Sequence, residues 1–306
     1  MRRVDIGFAV PVSGSWATPL AMTRVARRAE ELGYASLWAF QRLLSPVDGA
    51  WGEQYRSVTD PLVTLAYLAG QTSRVRLGVA VVNAPFLPPV LLAKQFATLD
   101  LISGGRLDAG LGIGWSPEEF AATGMAMARR GRRSEEYVAV LKTLWTDEPV
   151  EHTGEFYRVP RMSARPKPVQ RPHPPILLGG GVPAALRRAG RLADGWVCGS
   201  GPDLAAIGDQ VRTVREAAES AGRNPDDLRM VCRGSVRVRP AGAVDREPLT
   251  GSPAEIRDDF GRLAGCGITE LFVDLNFDPE IGSPSADPAE SMRRAEAALE
   301  AFAPAR

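Results

Sequence analysis

Short apolar, β-branched runs alternate with helical patterns from one end of the chain to the other. Eight runs read as strands: 4–10, 36–40, 75–82, 106–112, 176–178, 195–198, 230–238 and 270–275. Several are apolar almost throughout, as in Val79-Ala80-Val81-Val82 and Ile176-Leu177-Leu178, which marks strands covered on both faces. The helices between them announce their starts. Ser116-Pro117-Glu118-Glu119, Ser252-Pro253-Ala254-Glu255 and Asp287-Pro288-Ala289-Glu290 each offer an N-cap, a proline at the first helical position and a glutamate at the third; Asp60-Pro61 is a shorter version. Leu204, Ile207, Val211, Val214 and Ala218 mark one helical face, and Ile256, Phe260 and Leu263 another. A strand-then-helix unit of about 35 residues, repeated eight times, predicts an α/β chain folded as a single (β/α)8 TIM-type barrel over residues 1–306.

One segment breaks the rhythm. Residues 148–175 open with VEHTGEFYRV, a hairpin pattern turning at Gly154, and continue into the extended, proline-rich RPKPVQRPHPP. The βα alternation resumes at once at Ile176, so the segment reads as an excursion between strands four and five rather than a linker between domains.

Composition narrows the function classes. Thirty-seven basic residues face 36 acidic ones, for a net charge of +1. Without a basic excess the chain does not read as a nucleic-acid binder. The uncharged run 77–93 carries three prolines and an asparagine and does not read as a membrane span, and the N-terminus breaks at Asp5 and Pro11 before any signal-type apolar stretch. The expected location is therefore the cytoplasm. Cys198, Cys232 and Cys266 are widely spaced and form no CxxC pair, which argues against a disulfide framework or a metal site. Lysine occurs only three times among abundant alanine and arginine, a bias that fits a GC-rich, actinobacterial type of genome.

In a barrel, chemistry gathers where strands end and βα loops begin. Gly179-Gly180-Gly181, ahead of a helix starting near Pro183, is a candidate phosphate cradle, because small residues let backbone N–H groups face an anion at a helix start. A flexible βα turn explains it equally well. Gly110, Gly112 and Gly114 would let a flat ligand approach strand four, although tight barrel packing also calls for glycine. Ala80, Val81 and Asn83 end strand three. Phe40 and Gln41 end strand two, ahead of a long loop bearing Trp51, Glu53, Gln54 and Tyr55 that reads as a lid or a pocket wall.

These residues carry a resemblance. RVARRAEELGYASLW, TSRVRLG, AKQFATLDLISGGRLDAGLGIGW, GEFY, PKPVQRPHPPILLGGG, ADGW and LTGSPAEIRDDFGRLAGCGITELFV resemble, in order along nearly the whole chain, the bacterial luciferase-like monooxygenase superfamily. The resemblance implies a homodimeric TIM-like barrel that binds FMN or the deazaflavin coenzyme F420 and acts on a small molecule. It places the cofactor phosphate on Gly179, Gly180 and Gly181, and the ring against Gly112 and Gly114. The F420-using branch implies a non-prolyl cis peptide at Ala80–Val81 beneath the ring, with Phe40 and Asn83 beside it, and the open Gly199-Ser200-Gly201 turn leaves room near Ser200 for a longer cofactor tail. Helix 88–103 is a candidate dimer element, although burial against the barrel explains its Leu92, Phe96 and Leu99 equally well.

The departures matter as much. Where many relatives carry an acid followed by histidine, this chain has Phe40-Gln41, and Trp115 replaces the glutamate of F420-dependent sugar-phosphate dehydrogenases. His152 and His173 fall in the excursion and read as surface residues. The resulting expectation is an F420-dependent oxidoreductase that transfers a hydride to or from an organic substrate. In it Gln41 would contact ring or substrate, Trp115 would wall the pocket, and Glu53 or Tyr55 would donate a proton. A monooxygenase using reduced FMN and oxygen, or a non-catalytic flavin-binding barrel, are the alternatives.

Overall fold

A computed structural model describes residues 4–199 and 204–304. Eight parallel strands close on themselves: β1 (Asp5–Ala9), β2 (Ser36–Ala39), β3 (Arg76–Val79), β4 (Leu107–Gly112), β5 (Ile176–Gly179), β6 (Gly195–Val197), β7 (Arg229–Ser235) and β8 (Glu270–Asp274). Neighbours pair in sequence order, and Phe8 opposite Val273 closes the ring between β1 and β8. All eight predicted strands are present. Val82–Asn83 lies alongside Leu111 and Gly112 as an extra rung at the rim.

The helices are α1 (Pro19–Leu32), α2 (Pro61–Ala69), α3 (Pro89–Ile102), α4 (Pro117–Ala122), α5 (Arg130–Thr146), α6 (Pro183–Leu192), α7 (Ile207–Ser220), α8 (Pro253–Gly265) and α9 (Pro288–Ala301). Their starts follow the sequence signals, with one instructive exception. At Ser252 the full reciprocal box forms with Glu255. At Ser116 only half forms: the hydroxyl accepts the Glu119 N–H, but the Glu119 carboxylate turns away to another partner. Because the Ser252 box satisfies two N–H groups at the start of α8, Ser252→Ala should cost about 1 kcal/mol, read as a lower urea midpoint at unchanged slope.

The barrel interior is layered. Ala9, Trp38, Leu177, Val197, Val231 and Phe272 fill its middle, and Trp38 stacks on Phe272 with ring centroids 5.0 Å apart. Gly78 is glycine for this reason, since a Cβ there would lie 2.5 Å from the Trp38 ring. Beneath that layer, fully buried Asp108 accepts hydrogen bonds from Arg76 Nε at 3.0 Å and Arg229 Nη1 at 2.6 Å. Arg229 continues to Glu270 at 2.6 Å, and the Trp38 indole N–H donates to the same carboxylate.

The excursion forms the predicted hairpin, with Val150–Thr153 antiparallel to Arg158–Met162. Its proline-rich arm is fastened beneath the barrel by Asp100, whose carboxylate accepts the backbone N–H groups of Val169 and Gln170. His173 departs from the surface expectation: its side chain is largely buried and lies 5.9 Å from the Trp145 ring. Among the described residues, no helix is long and apolar enough to cross a membrane.

Candidate functional site

The C-terminal ends of β2 through β7 surround a cavity of about 370 Å3. Phe40, Gln41, Ala80, Val81, Asn83, Gly112, Gly114, Trp115, Gly179, Gly180 and Gly181 all line it, as does Tyr55 from the loop after β2. The structure thus brings together nearly every residue singled out from the sequence. Glu53 is not among the walls: its carboxylate pairs with Arg56 at 3.2 Å and accepts from Ser283, outside the cavity. Ser200 lies outside the described residues. A larger cleft of about 650 Å3 opens at the opposite end of the barrel, between Asp5, Arg229 and Thr269, where strands begin rather than end.

The floor is narrow and flat. The Ala80–Val81 peptide is cis, and Val81 sits over β4 and β5. A Cβ at Gly112 would lie 2.5 Å from Val81 Cγ2, and one at Gly179 3.1 Å from Val81 Cγ1. The close approach of Val81 accounts for glycine at 112 and leaves a side chain at 179 tightly placed. Gln41 is already engaged, since its Oε1 accepts the Asn83 N–H at 2.9 Å and so fixes the turn after the cis bond.

Two buried arginines, neither given a role by the sequence alone, shape the rest. Arg233 on β7 donates to Asp274 Oδ2 at 2.8 Å and to the Ala80 carbonyl, with its guanidinium 4.8 Å from the Phe277 ring. Arg42, just past β2, donates to Glu119 Oε2 at 2.7 Å, while Glu119 Oε1 accepts the Leu43 and Leu44 N–H groups. The Arg42 guanidinium lies 4.6 to 5.4 Å from the rings of Trp115, Trp51 and Tyr55, and Trp51 meets Trp115 edge-on at 4.8 Å. This aromatic stack ties the long loop to the rim. Each arginine is paired with a buried carboxylate, while Arg42 Nε and Nη1 and Arg233 Nε are buried without a hydrogen-bond partner.

The other end is built for an anion. Gly180, at φ +125°, turns the chain off β5, and the Trp196 indole N–H holds the Gly180 carbonyl at 2.8 Å. Helix α6 starts at Pro183 with Val182 at its N-cap, and no side chain caps its first turn. Arg130, at the start of α5, lines the same end and has a buried Nε without a partner. An uncapped ten-residue helix, a side-chain-free turn and an unsatisfied guanidinium N–H fit the phosphate of a flavin-type cofactor. Among the described residues no Asp, Glu or His lines the cavity; His152 pairs with Glu136 at 3.2 Å and His173 packs on Trp145.

Comparison with known proteins fits this geometry. The profile of the family described as luciferase-like monooxygenase matches residues 8–270. The chain belongs to that family. An uncharacterised protein from Mycobacterium tuberculosis is 33% identical over 224 residues, covering 73% of this chain and 72% of that protein. The FMNH2-dependent dimethylsulfone monooxygenase of Pseudomonas putida is 35% identical over 65% of this chain and 53% of its own length. The F420-dependent glucose-6-phosphate dehydrogenase of Amycolatopsis mediterranei is 30% identical over 69% and 62%. Among solved structures, the monooxygenase RslO1 from Streptomyces bottropensis superposes with a TM-score of 0.80 at 25% identity, with 98% of each chain covered. As a member of this luciferase-like family, the chain is a flavin- or deazaflavin-type oxidoreductase built on the barrel the sequence predicts.

Proposed function

We propose that the chain is a monooxygenase that works with reduced FMN and dioxygen on a small, uncharged, apolar or aromatic compound. The observation that carries this reading is that, among the described residues, the cavity wall has no carboxylate or imidazole. Oxidising an alcohol by hydride removal calls for a base at the hydroxyl proton, and this wall offers neither of the usual ones. When bound, reduced flavin supplies the activation of dioxygen, so the protein's task is to orient, enclose and dry. In this reading Gly179, Gly180, Gly181 and Arg130 hold the phosphate. Phe40, Ala80, Val81, Gly112 and Gly114 form the slot for the ring, with Gln41 and Asn83 at its edge. Trp115, Tyr55, Trp51 and the paired Arg42 keep water from the reacting face. The similarity to RslO1 and to the dimethylsulfone monooxygenase supports this order of preference and reverses the one drawn from the arginine-rich composition and the strand-three match.

F420-linked hydride transfer is the second reading, favoured by the similarity to the Amycolatopsis dehydrogenase. The two separate in one experiment. In anaerobic fluorescence titrations, FMN should bind at least tenfold more tightly than F420, a difference of about 1.4 kcal/mol. Tighter F420 binding would return the assignment to hydride transfer.

The chain is also proposed to pair with a second copy. Leu92, Phe96 and Leu99 cannot form the interface, because all three are buried against the barrel. The exposed apolar residues are their neighbours on α3, Val90, Leu91, Leu101 and Ile102, together with Val63 and Tyr67 on adjacent α2. Sedimentation at micromolar concentration should show a dimer, and Leu91→Glu combined with Val63→Glu should shift it to monomer.

A further inference from the structure

The three cysteines are far apart in sequence, but two of them meet. Cys198 follows β6 and Cys232 lies within β7, one step beyond the paired Val197 and Val231. Their Sγ atoms are 3.5 Å apart, and no other described cysteine is near them in the hydrogen-bond pattern. Registered neighbours on adjacent strands sit about 4.8 Å apart, inside the Cα separation of roughly 4.4 to 6.8 Å that a disulfide accepts.

The two thiols are not equivalent. Cys232 is fully buried, whereas Cys198 forms part of the wall of the 370 Å3 cavity beside Gly180 and Gly199. Strand β6 ends at Val197, so the Arg233 N–H finds the Cys198 sulfur at 3.1 Å instead of another ladder carbonyl. The hydrogen bond shared with Cys232, that backbone N–H and the Arg233 charge hold the Cys198 thiol below the ordinary thiol range, despite its burial. The shared hydrogen bond and burial push the Cys232 thiol well up. A thiol held below its ordinary value, in a residue of the cavity wall and 3.5 Å from a second thiol, is the arrangement of an attacking and a resolving cysteine.

We propose that Cys198 and Cys232 are an oxidation site: a dithiol pair in the cavity wall that a hydroperoxide converts to a disulfide. The Cys198 thiolate attacks one peroxide oxygen, the O–O bond breaks, and the departing oxygen leaves as water or an alcohol after taking up a proton. Cys198 is then a sulfenic acid. The Cys232 sulfur attacks it, the S–O bond breaks, and the released hydroxide takes the Cys232 proton as water. Two thiols have lost two protons and two electrons, and one hydroperoxide has been reduced. The bond joins the open end of β6 to β7 at the wall that also carries the 179–181 turn. Hydrogen peroxide is the by-product expected when reduced flavin meets dioxygen without substrate, but the inference does not depend on the flavin reading.

The test uses the full, cofactor-free chain, in which the three cysteines fall on separate tryptic peptides. The protein is treated with hydrogen peroxide, denatured, alkylated with iodoacetamide and digested. The expected result is a Cys198–Cys232 linked peptide, two hydrogens lighter than its parts and released by dithiothreitol, with Cys266 fully alkylated. In Cys232→Ser, the Cys198 sulfenic acid should accumulate and be trapped by dimedone; if that variant does not fold, the wild-type peptide map decides alone. Alkylation of both Cys198 and Cys232 after treatment would overturn the proposal. So would over-oxidation of Cys198 beside a free Cys232, or a disulfide that includes Cys266.

Discussion

Replacing Asp108 by asparagine should cost about 3 kcal/mol of stability at neutral pH, the size typical of breaking a buried ion pair by removing one partner. Asp108 has no solvent exposure and is the shared acceptor for Arg76 and Arg229, whose side chains are 32% and 27% exposed. Burial alone would raise its pKa. The Arg229 and Arg76 charges and hydrogen bonds more than offset that, and the carboxyl is held below its ordinary value. Its contribution is therefore fully present above the unfolded carboxyl range, near pH 4, and is lost as pH falls through the depressed folded value. Urea denaturation of wild type and Asp108→Asn should accordingly show a wide gap from pH 5 to 7 that narrows below about pH 4. A gap of constant size down to pH 2 would mean that the ionised carboxylate is not what stabilises this layer. The cavity lies at the other end of the barrel, so cofactor affinity should not change in the folded variant.

Much of this molecule was legible in its sequence, and the reason is local. Strands covered on both faces read as apolar runs, and proline fixed after Ser or Asp marks a helix start whatever packs on it. The 179–181 turn was legible as a turn at a strand end, because three glycines in a row lead from an apolar run into a helix start. What was missed is long-range. Glu119 looked like a capping glutamate at Ser116, but its carboxylate is taken by Arg42, 77 positions away. Nothing in the neighbourhood of Arg42 in sequence shows that Trp51, Tyr55 and Trp115 converge on it. Arg233 and Asp274 meet only because β7 and β8 are adjacent, and Cys198 meets Cys232 only through the register of β6 and β7. Glu53 and Tyr55 sit in one short 3-10 turn and point to different places, which a sequence cannot show for a loop. One signal was available: inside strand β7, Arg233 directly follows the apolar Met230-Val231-Cys232, and a charge there must find a buried partner.

The sharpest test of the phosphate cradle is at Gly181, not at the middle glycine of the turn. Gly180 has φ +125°, and a Cβ there would lie 2.8 Å from the Ala185 Cβ, so any side chain strains the backbone and confuses binding with folding. Gly181 lies outside the left-handed region, and its Cβ would meet only Gln210 Nε2 at 3.5 Å, an ordinary contact. A leucine at 181 therefore leaves the turn intact while filling the space in front of the α6 N-terminus with methyl groups. A dianionic phosphate would lose its approach to the first-turn N–H groups and to Arg130, and the charge-assisted hydrogen bonds made there are the strong ones. Gly181→Leu should weaken FMN binding about 100-fold, or about 2.7 kcal/mol, with an unchanged melting temperature. Riboflavin separates ring from phosphate, because it has the same ring and chain but no phosphate. Its weaker binding should be the same in wild type and variant. Equal losses for both ligands would put the leucine in the way of the ring, and undiminished FMN affinity would remove the phosphate from this turn.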